Sequence, residues 1–152
     1  MKPLPNRSDI KRYVLGFLFS PELSLVLLIK KNRPKWQRGK FNGIGGKIEP
    51  GETAPDAMRR ECREETNVDV CDWRHFATLN TNMDGPEEVF CFYASTEEML
   101  GAEQITDEEL RFESAVAPHV DWMLYNVPWL IAAARMHKLR GQLKHYEVTE
   151  VF

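Results

Sequence analysis

The chain has 152 residues, of which 43% are hydrophobic, and its formal net charge is −3. That length and apolar content suit one compact domain with its own core, which we predict to span residues 1–152. The small net charge gives no bias toward DNA or a membrane surface, and no apolar run is long enough to cross a bilayer. Three cysteines without a Cys-x-x-Cys pair favour a reducing compartment, and residues 1–11 do not resemble a signal peptide. We therefore expect a cytoplasmic protein.

Two apolar runs near the N-terminus, residues 13–19 and 23–29, are separated by Ser-Pro-Glu. Two apolar runs interrupted by a turn-forming segment predict two buried strands of a hairpin. The following residues, 30–40, include six basic side chains and no acidic one. A basic loop attracts polyphosphate, but most such loops are solvated connections, and both interpretations stay open here.

A glycine-rich turn and a short helix come next. Residues 43–46 read Gly-Ile-Gly-Gly, which predicts a turn whose backbone approaches a ligand closely. Thr53 is a good N-cap, with Asp56 three residues later to close a capping box, and Pro55 is tolerated in the first turn. Asn67 stands where the helix needs a left-handed residue at its end.

Five glutamates lie within or just before this helix: Glu49, Glu52, Glu61, Glu64 and Glu65. The last three fall in a sector about 100° wide on the helix surface. That sector borders the apolar stripe of the helix, which consists of Ala54, Met58 and Cys62. Carboxylates beside a buried stripe need a partner, because an unpaired charge out of water costs several kcal/mol. The two nearby arginines do not neutralise the cluster, so the pattern favours a hard divalent cation such as Mg²⁺, which takes oxygen ligands.

The remaining elements complete a mixed α/β pattern. Strands are predicted over residues 73–79 and 88–94, joined through the turn-rich segment 82–86. A helical pattern covers residues 126–140, with a proline in its first turn, and the alternating tail 145–152 predicts a last strand. A mixed sheet with helices on both faces is the fold class that this order of elements favours.

The segment from Gly46 to Val68 resembles the Nudix box, a signature of spaced Gly, Glu, Arg-Glu and Glu-Glu residues. The matching positions are Gly46, Glu52, Arg60, Glu61, Cys62, Glu64, Glu65, Asn67 and Val68. Asn67 replaces the glycine of the box, which is a mild change because Asn also tolerates the left-handed conformation. Cys62 fills an apolar position, where a free cysteine behaves as a small hydrophobe. A match of this length and spacing is specific.

The resemblance implies an α/β/α sandwich with a mixed sheet between helices. It also implies hydrolysis of a nucleoside diphosphate linked to another group, X. Glu61, Glu64 and Glu65 match the metal ligands of the box, and the Gly46 carbonyl is expected beside them. The implied cofactor is Mg²⁺ or Mn²⁺, which polarises phosphoryl oxygens and lowers the pKa of bound water.

Other roles follow from the same resemblance. Glu52 and Arg60 are expected to pair and to brace the loop against the helix. Lys47 is a candidate phosphate contact. The general base of such enzymes comes either from the box or from a later loop, where Glu108 and Glu109 are the candidates. An acidic loop or helix start is an equally good interpretation of those two residues.

Residues 40–47 resemble the approach to the box in MutT-type members, which cleave purine nucleoside triphosphates, including oxidised ones. The resemblance makes Asn42 a candidate base contact, although Asn also suits a turn. Phe41 and Trp122 are candidates for base stacking, with core packing the favoured interpretation of each, and the tryptophans in general are expected in the core or at its rim. Hydrolases of oxidised purines carry paired acids before the last helix, where this chain has only Asp121.

We therefore expect a nucleoside triphosphate to be cut to a monophosphate and pyrophosphate. Sugar nucleotides, dinucleoside polyphosphates and RNA 5′-triphosphate ends are alternative substrates. The basic segment 30–40 is the feature that favours the RNA alternative. A different class is a nucleotide-sensing module without catalysis, but such modules tend to lose box carboxylates that this chain retains. The expected partner is a small nucleotide, with no membrane or DNA, and the chain is a monomer or a homodimer.

Overall fold

The computed structural model of the chain describes residues 6–82, 85–141 and 145–152. The predicted turn 82–86 includes residues 83 and 84, which lie outside the described residues. Residues 1–5 of the N-terminal segment also lie outside them. Among the described residues, no helix is long and apolar enough to cross a membrane.

Eight strands and two helices occur in the described parts of the chain. In chain order they are β1 Lys11–Phe19, β2 Leu25–Lys30, β3 Phe41–Asn42, β4 Ile44–Lys47, α1 Ala54–Thr66, β5 Arg74–Thr81, β6 Glu87–Ser95, β7 Leu110–Ser114, α2 Val127–Arg140 and β8 Tyr146–Glu150. The five predicted strands and both predicted helices are confirmed, with ends shifted by at most two residues. β3, β4 and β7 were not predicted.

The strands form one mixed sheet in the order β3-β2-β1-β6-β5-β8, with β4 added to β1 and β7 added to β2. β1 and β2 are antiparallel, as the predicted hairpin requires. β1 runs parallel to β6 along its whole length, and β8 runs parallel to β5 at the sheet edge. This arrangement confirms the α/β class and brings the C-terminal strand beside the middle of the chain.

The glycine-rich segment is a strand rather than the predicted turn. Residues 44–47 pair antiparallel with β1, and Gly45 stands opposite Leu15. A Cβ atom on Gly45 would collide with the carbonyl of Val14. Glycine is normally unfavourable in strands, but here only glycine allows the two backbones to approach so closely.

Each face of the sheet carries one helix. Ala57, Met58 and Cys62 of α1 are fully buried against Val14, Leu18 and Phe92. On the other face α2 buries Leu130, Ile131 and Ala134 in a separate cluster. Full burial of one such large apolar side chain contributes about 1.5–3 kcal/mol, so the two clusters hold both helices firmly on the sheet. The predicted α/β/α layering is confirmed.

The ends of α1 are fixed by the predicted caps. The Thr53 side-chain oxygen accepts a hydrogen bond from the Asp56 amide at 3.2 Å. At the other end Asn67 adopts φ 61°, and its amide donates to the Arg63 carbonyl at 3.0 Å. Both caps position the helix, and with it the glutamates, relative to β4.

Candidate active site

The end of β4 and the middle of α1 lie in close contact. A Cβ atom on Gly46 would fall on the carboxylate of Glu61. Glycine at position 46 is therefore required for the carboxylate to approach the strand backbone. The structure thus brings together two of the residues expected to bind the metal.

Arg60 organises the charges of this region. Its guanidinium donates to the carboxylate of Glu52 at 2.7 and 2.9 Å, to Glu61 at 2.9 Å and to Glu64 at 3.1 Å. A further hydrogen bond, of 3.1 Å, reaches the carbonyl of Lys47. Hydrogen bonding to Arg60 lowers the pKa of Glu52, and the carboxylates of Glu52 and Glu61 raise the pKa of Arg60. The expected Glu52–Arg60 pair is present, and it ties the loop before α1 to the helix.

Glu65 is the carboxylate without such a partner. Its Oε2 atom is buried and has no hydrogen-bond partner among the described residues. Burial raises the pKa of Glu65 to about 8, and the charges of Glu61 and Glu108 act in the same direction. The charge of Lys31 and a hydrogen bond from the backbone of Gly45 oppose this shift. A buried carboxylate with an unsatisfied oxygen is a costly arrangement unless a cation or proton completes it.

The two candidates for a later general base have different surroundings. Glu108 is buried, and its carboxylate accepts hydrogen bonds from Lys31 Nζ at 3.1 Å and from the Asn32 amide at 2.6 Å. Its charge acts on Glu65, so it lies near the box. The Glu109 side chain is exposed and lies 3.5 Å from Arg111. The structure therefore places Glu108, and not Glu109, with the acidic helix.

Two of the six basic residues in segment 30–40 form ion pairs with the later acidic segment. Lys31 contacts Glu108, and the Arg33 guanidinium forms two hydrogen bonds with Asp107, of 2.8 and 3.1 Å. These pairs reduce the charge available to attract a polyanion. The sequence shows the two oppositely charged segments but not that they meet.

The donor set at this end of the molecule fits a hard cation. Carboxylate oxygens of Glu61 and Glu65 and the carbonyl of Gly46 are the ligand types that Mg²⁺ and Mn²⁺ prefer. Within the described ranges, however, no three Asp, Glu, His or Cys side chains converge closely enough to hold a metal ion. Arg60 contacts both Glu61 and Glu64 instead. The unsatisfied Glu65 Oε2 is the structural observation that favours a cation, and the metal site stays a prediction.

A cleft of about 550 Å³ opens next to this cluster. At one end it is lined by Gly45, Gly46 and Lys31. Its middle is largely apolar, formed by Leu15, Leu79, Val89 and Leu124. At the other end the lining residues are polar, among them Thr81, Tyr125, Asn126 and Glu150. The acidic helix therefore borders one end of an elongated cleft with an apolar centre and a polar far end.

Of the four residues expected to bind substrate, Asn42 lines the cleft. Its side-chain oxygen accepts from the Gly43 amide at 2.8 Å, and its amide nitrogen donates to Gln37 at 3.3 Å. These contacts match the turn interpretation, while the position of Asn42 matches the base-contact interpretation. The Lys47 side chain is exposed and is not part of the cleft wall.

The two aromatic candidates lie outside the cleft wall. Phe41 is 4% exposed and belongs to the core, which confirms the packing interpretation. The core interpretation of Trp122 is wrong, since the side chain is 48% exposed. Trp122 belongs to a surface turn, where its ring stacks on His119 with centroids 4.6 Å apart and faces the guanidinium of Arg111.

Sequence reasoning missed Trp36 as a cleft residue. This tryptophan is 44% exposed on the short turn Lys35–Gln37 and lines the cleft. An isolated aromatic residue inside a basic, non-periodic segment has no helix or strand to bury it, and that was the available signal. Tyr125, Asn126 and Glu150 were also missed, because only the sheet topology brings them to the same cleft.

The NUDIX domain family pattern matches residues 9–140. The chain belongs to the Nudix family. It is 24% identical over 140 residues to the oxidized purine nucleoside triphosphate hydrolase of Mus musculus, covering 90% of this chain and 88% of the mouse protein.

Two solved structures have the same fold. The MutT protein of Bacillus halodurans superposes with a TM-score of 0.68 at 19% identity, covering 94% of this chain and 90% of that one. The NUDIX domain of Shewanella oneidensis NrtR, solved with ADP ribose, gives a TM-score of 0.67 at 20% identity, covering 85% and 88%. At 19% and 20% identity, these two similarities establish the fold alone.

Proposed function

We propose that residues 1–152 form a divalent-metal-dependent Nudix hydrolase that cuts a nucleoside triphosphate to a monophosphate and pyrophosphate. The observation behind this proposal is the buried carboxylate of Glu65, whose Oε2 has no hydrogen-bond partner in the part of the chain that the structure describes. It belongs to the helix whose Glu61 contacts Gly46, a residue at the end of the cleft. Family membership and the activity after which the mouse relative is named support the same reaction class.

In this proposal Glu61, Glu64, Glu65 and the carbonyl of Gly46 hold the metal. Mg²⁺ or Mn²⁺, when bound, neutralises phosphate charge and lowers the pKa of the attacking water. Arg60 keeps Glu61 and Glu64 close together before binding, because both carboxylates accept hydrogen bonds from the same guanidinium nitrogen.

The chain supplies further groups for the displacement at phosphorus. Water attacks one phosphorus atom of the anhydride, the bond to the leaving pyrophosphate breaks, and the proton of the water passes to a carboxylate. Glu108 is our candidate for that base, supported by its position near Glu65 and by its fixed orientation on Lys31 and Asn32. Lys47 is exposed at the same strand end and remains a proposed phosphate contact.

The nucleoside is proposed to occupy the apolar middle of the cleft. Asn42 is a candidate base contact there, and Trp36 is better placed than Phe41 or Trp122 to stack on a ring, since it alone of these aromatics lines the cleft. Aromatic stacking of this kind is worth about 1–3 kcal/mol per base. The pairing of basic residues with Asp107 and Glu108 weakens the RNA alternative.

We also propose a cytoplasmic location and a small nucleotide, rather than DNA, as the partner. The three cysteines, all within the described residues, are free thiols, which supports a reducing environment. The proposal includes a monomer or a homodimer as the subunit state.

The deciding experiment is turnover with Mg²⁺ over ordinary and oxidised nucleoside triphosphates, sugar nucleotides including ADP ribose, dinucleoside polyphosphates and triphosphate RNA, with products identified. Monophosphate plus pyrophosphate from triphosphates is the expected result, abolished by chelation of the metal. Tight binding of a panel member without turnover would overturn the proposal in favour of a nucleotide sensor. Preferential cleavage of a sugar nucleotide would overturn the substrate assignment but not the reaction class.

A further inference from the structure

The polar far end of the cleft is built by the C-terminal strand. β8 lies parallel to β5, with Glu150 opposite Thr81, and Thr81 is in turn paired with Glu87 of β6. Residues in register on neighbouring strands share a face of the sheet, and all three line the cleft. The last strand therefore contributes a carboxylate to the cleft at the end opposite the acidic helix.

The carboxylate of Glu150 is held in place by two neighbours. It accepts a hydrogen bond from the hydroxyl of Tyr125, and its other oxygen lies 3.5 Å from the side-chain nitrogen of Asn126. Burial, followed by this hydrogen bond to Glu150, raises the pKa of Tyr125, so the hydroxyl stays a donor. Each carboxylate oxygen has two lone pairs, so both oxygens of Glu150 remain able to accept from a ligand.

The apolar middle of the cleft restricts the shape of a ligand that reaches Glu150. Leu15, Leu79 and Leu124 form an apolar floor, and each is less than 10% exposed. A flat heterocycle matches such a floor, whereas a sugar would leave its hydroxyl groups without partners there. The ring must then present hydrogen-bond donors to Glu150 at its far edge.

We propose that Glu150 determines base specificity by accepting hydrogen bonds from the adjacent ring N–H and exocyclic amine of a guanine-type base. A carboxylate has two acceptor oxygens in one plane and matches two adjacent N–H donors, while adenine presents an acceptor at the corresponding ring position. Glu87 lines the same end, but Glu150 is the carboxylate fixed by Tyr125 and Asn126. The inference rests on the proposed function, since it places the base of the proposed triphosphate substrate.

The test compares dGTP with dITP, which lacks the exocyclic amine, on the full chain. Turnover is measured as kcat/KM, and binding is measured separately with the non-hydrolysable α,β-methylene analogues of both nucleotides. The wild-type protein is expected to prefer dGTP by about 10-fold or more, the usual discrimination of a paired donor–acceptor contact. Glu150→Gln should reduce that preference to nearly one, because Gln offers only one acceptor oxygen.

The control is Glu147→Gln on the same strand. Glu147 is exposed, accepts a hydrogen bond from the Asn80 side chain at 3.2 Å and does not line the cleft. The Glu147→Gln variant should therefore prefer dGTP over dITP to the same extent as the wild type. A wild-type protein that does not distinguish dGTP from dITP, or a Glu150→Gln variant that keeps the preference, would overturn the inference.

The two proposals fail in distinguishable ways. Absence of turnover together with a Glu150-dependent preference in analogue binding would refute the hydrolase and support the base contact. Turnover of triphosphates with no effect of Glu150→Gln would refute the base contact and support the hydrolase. Thermal unfolding of both variants checks the fold, and the Gln side chain can still accept from Tyr125.

Discussion

The two ends of the cleft are built in different ways. At the acidic end nearly all the functional side chains come from one continuous stretch, Gly46 to Val68, folded as a strand end and one helix. At the far end the wall comes from β5, β6, β8 and the residues before α2, which are distant in sequence. Chemistry encoded in one segment is visible in the sequence, whereas a pocket assembled by topology is not.

The two ends also differ in their electrostatics. At the acidic end several carboxylates contact one arginine, while Glu65 Oε2 has no hydrogen-bond partner among the described residues. The middle of the cleft is apolar, and the carboxylate of Glu150 at the far end is hydrogen-bonded to Tyr125. This division predicts that changes at the acidic end reduce turnover of every substrate. Changes at the far end alter the choice among substrates.

The largest effect is expected from Glu65→Gln. Removal of the charge should lower kcat by about 10³-fold for all triphosphates, in the range typical of lost acid–base or metal-site groups. Stability of the metal-free protein should not fall, because burial already disfavours the charged form and raises the pKa of Glu65 to about 8. Turnover and thermal unfolding in chelator test both statements. A variant with full activity, or with selective loss for one base, would contradict the division between the two ends.

A smaller loss is expected from Gly46→Ala. The added methyl group would meet the Glu61 carboxylate and displace it, which should cost about 10- to 100-fold in kcat/KM, as for other displaced ligands. Gly101→Ala is the matched control, since its Cβ meets nothing within 4 Å and its φ is not positive. Equal activity of the two variants would show that Glu61 does not need its present position.

These two ends explain how much the sequence could predict. The caps at Thr53 and Asn67 follow from local spacing, and the structure contains both. The Glu52–Arg60 pair and the proximity of Gly46 to Glu61 were implied by the resemblance to the box, and both are present. The strand at residues 44–47 could not be predicted, because glycine is normally unfavourable in strands. Glycine is required here only because the backbone of β1 lies so close to Gly45.

Tertiary pairing accounts for the remaining differences. Lys31 and Glu108 are 77 residues apart, and neither charge pattern alone shows that they meet. Trp36 and Trp122 are both exposed aromatics, and only the path of the chain decides that Trp36 lines the cleft. The substrate end of the molecule therefore depends on long-range topology.

The arginine at the centre of the acidic end is also expected to stabilise the fold. Arg60→Met would leave Glu52 and Glu61, whose side chains are 16% and 13% exposed, without their cation, at a cost of about 2–4 kcal/mol in the free energy of unfolding. Its neighbour Arg59 pairs with Asp69 on the surface, with both side chains over 40% exposed, so Arg59→Met should cost at most about 1 kcal/mol. Denaturant unfolding of the two variants gives the comparison. Similar losses would mean that the Arg60 cluster adds no more stability than a surface pair.

The smallest effect concerns the anchoring of the C-terminal strand. The Thr78 hydroxyl oxygen lies 3.1 Å from Nε2 of His75 and 2.9 Å from Nε2 of His145, and the two rings are 4.3 Å apart. One hydroxyl can donate to one ring and accept from the other only while at least one imidazole is neutral. Burial, followed by the charge of His145, lowers the pKa of His75 below its usual 6.5.

The sign of the pH dependence follows from that shift. Above pH 6.5 His75 is neutral in both the folded and the unfolded chain, and stability is at its full value. As the pH falls below 6.5 the unfolded chain binds the proton first, so stability is lost until the pH passes the lower folded pKa. Tm should therefore decline between pH 7 and 5, and this slope should be reduced in His75→Gln. His119→Gln is the control, because His119 contacts Glu113 and Trp122 instead of β8. An unchanged slope in His75→Gln would show that the histidine pair does not couple protonation to the anchoring of the strand that holds Glu150.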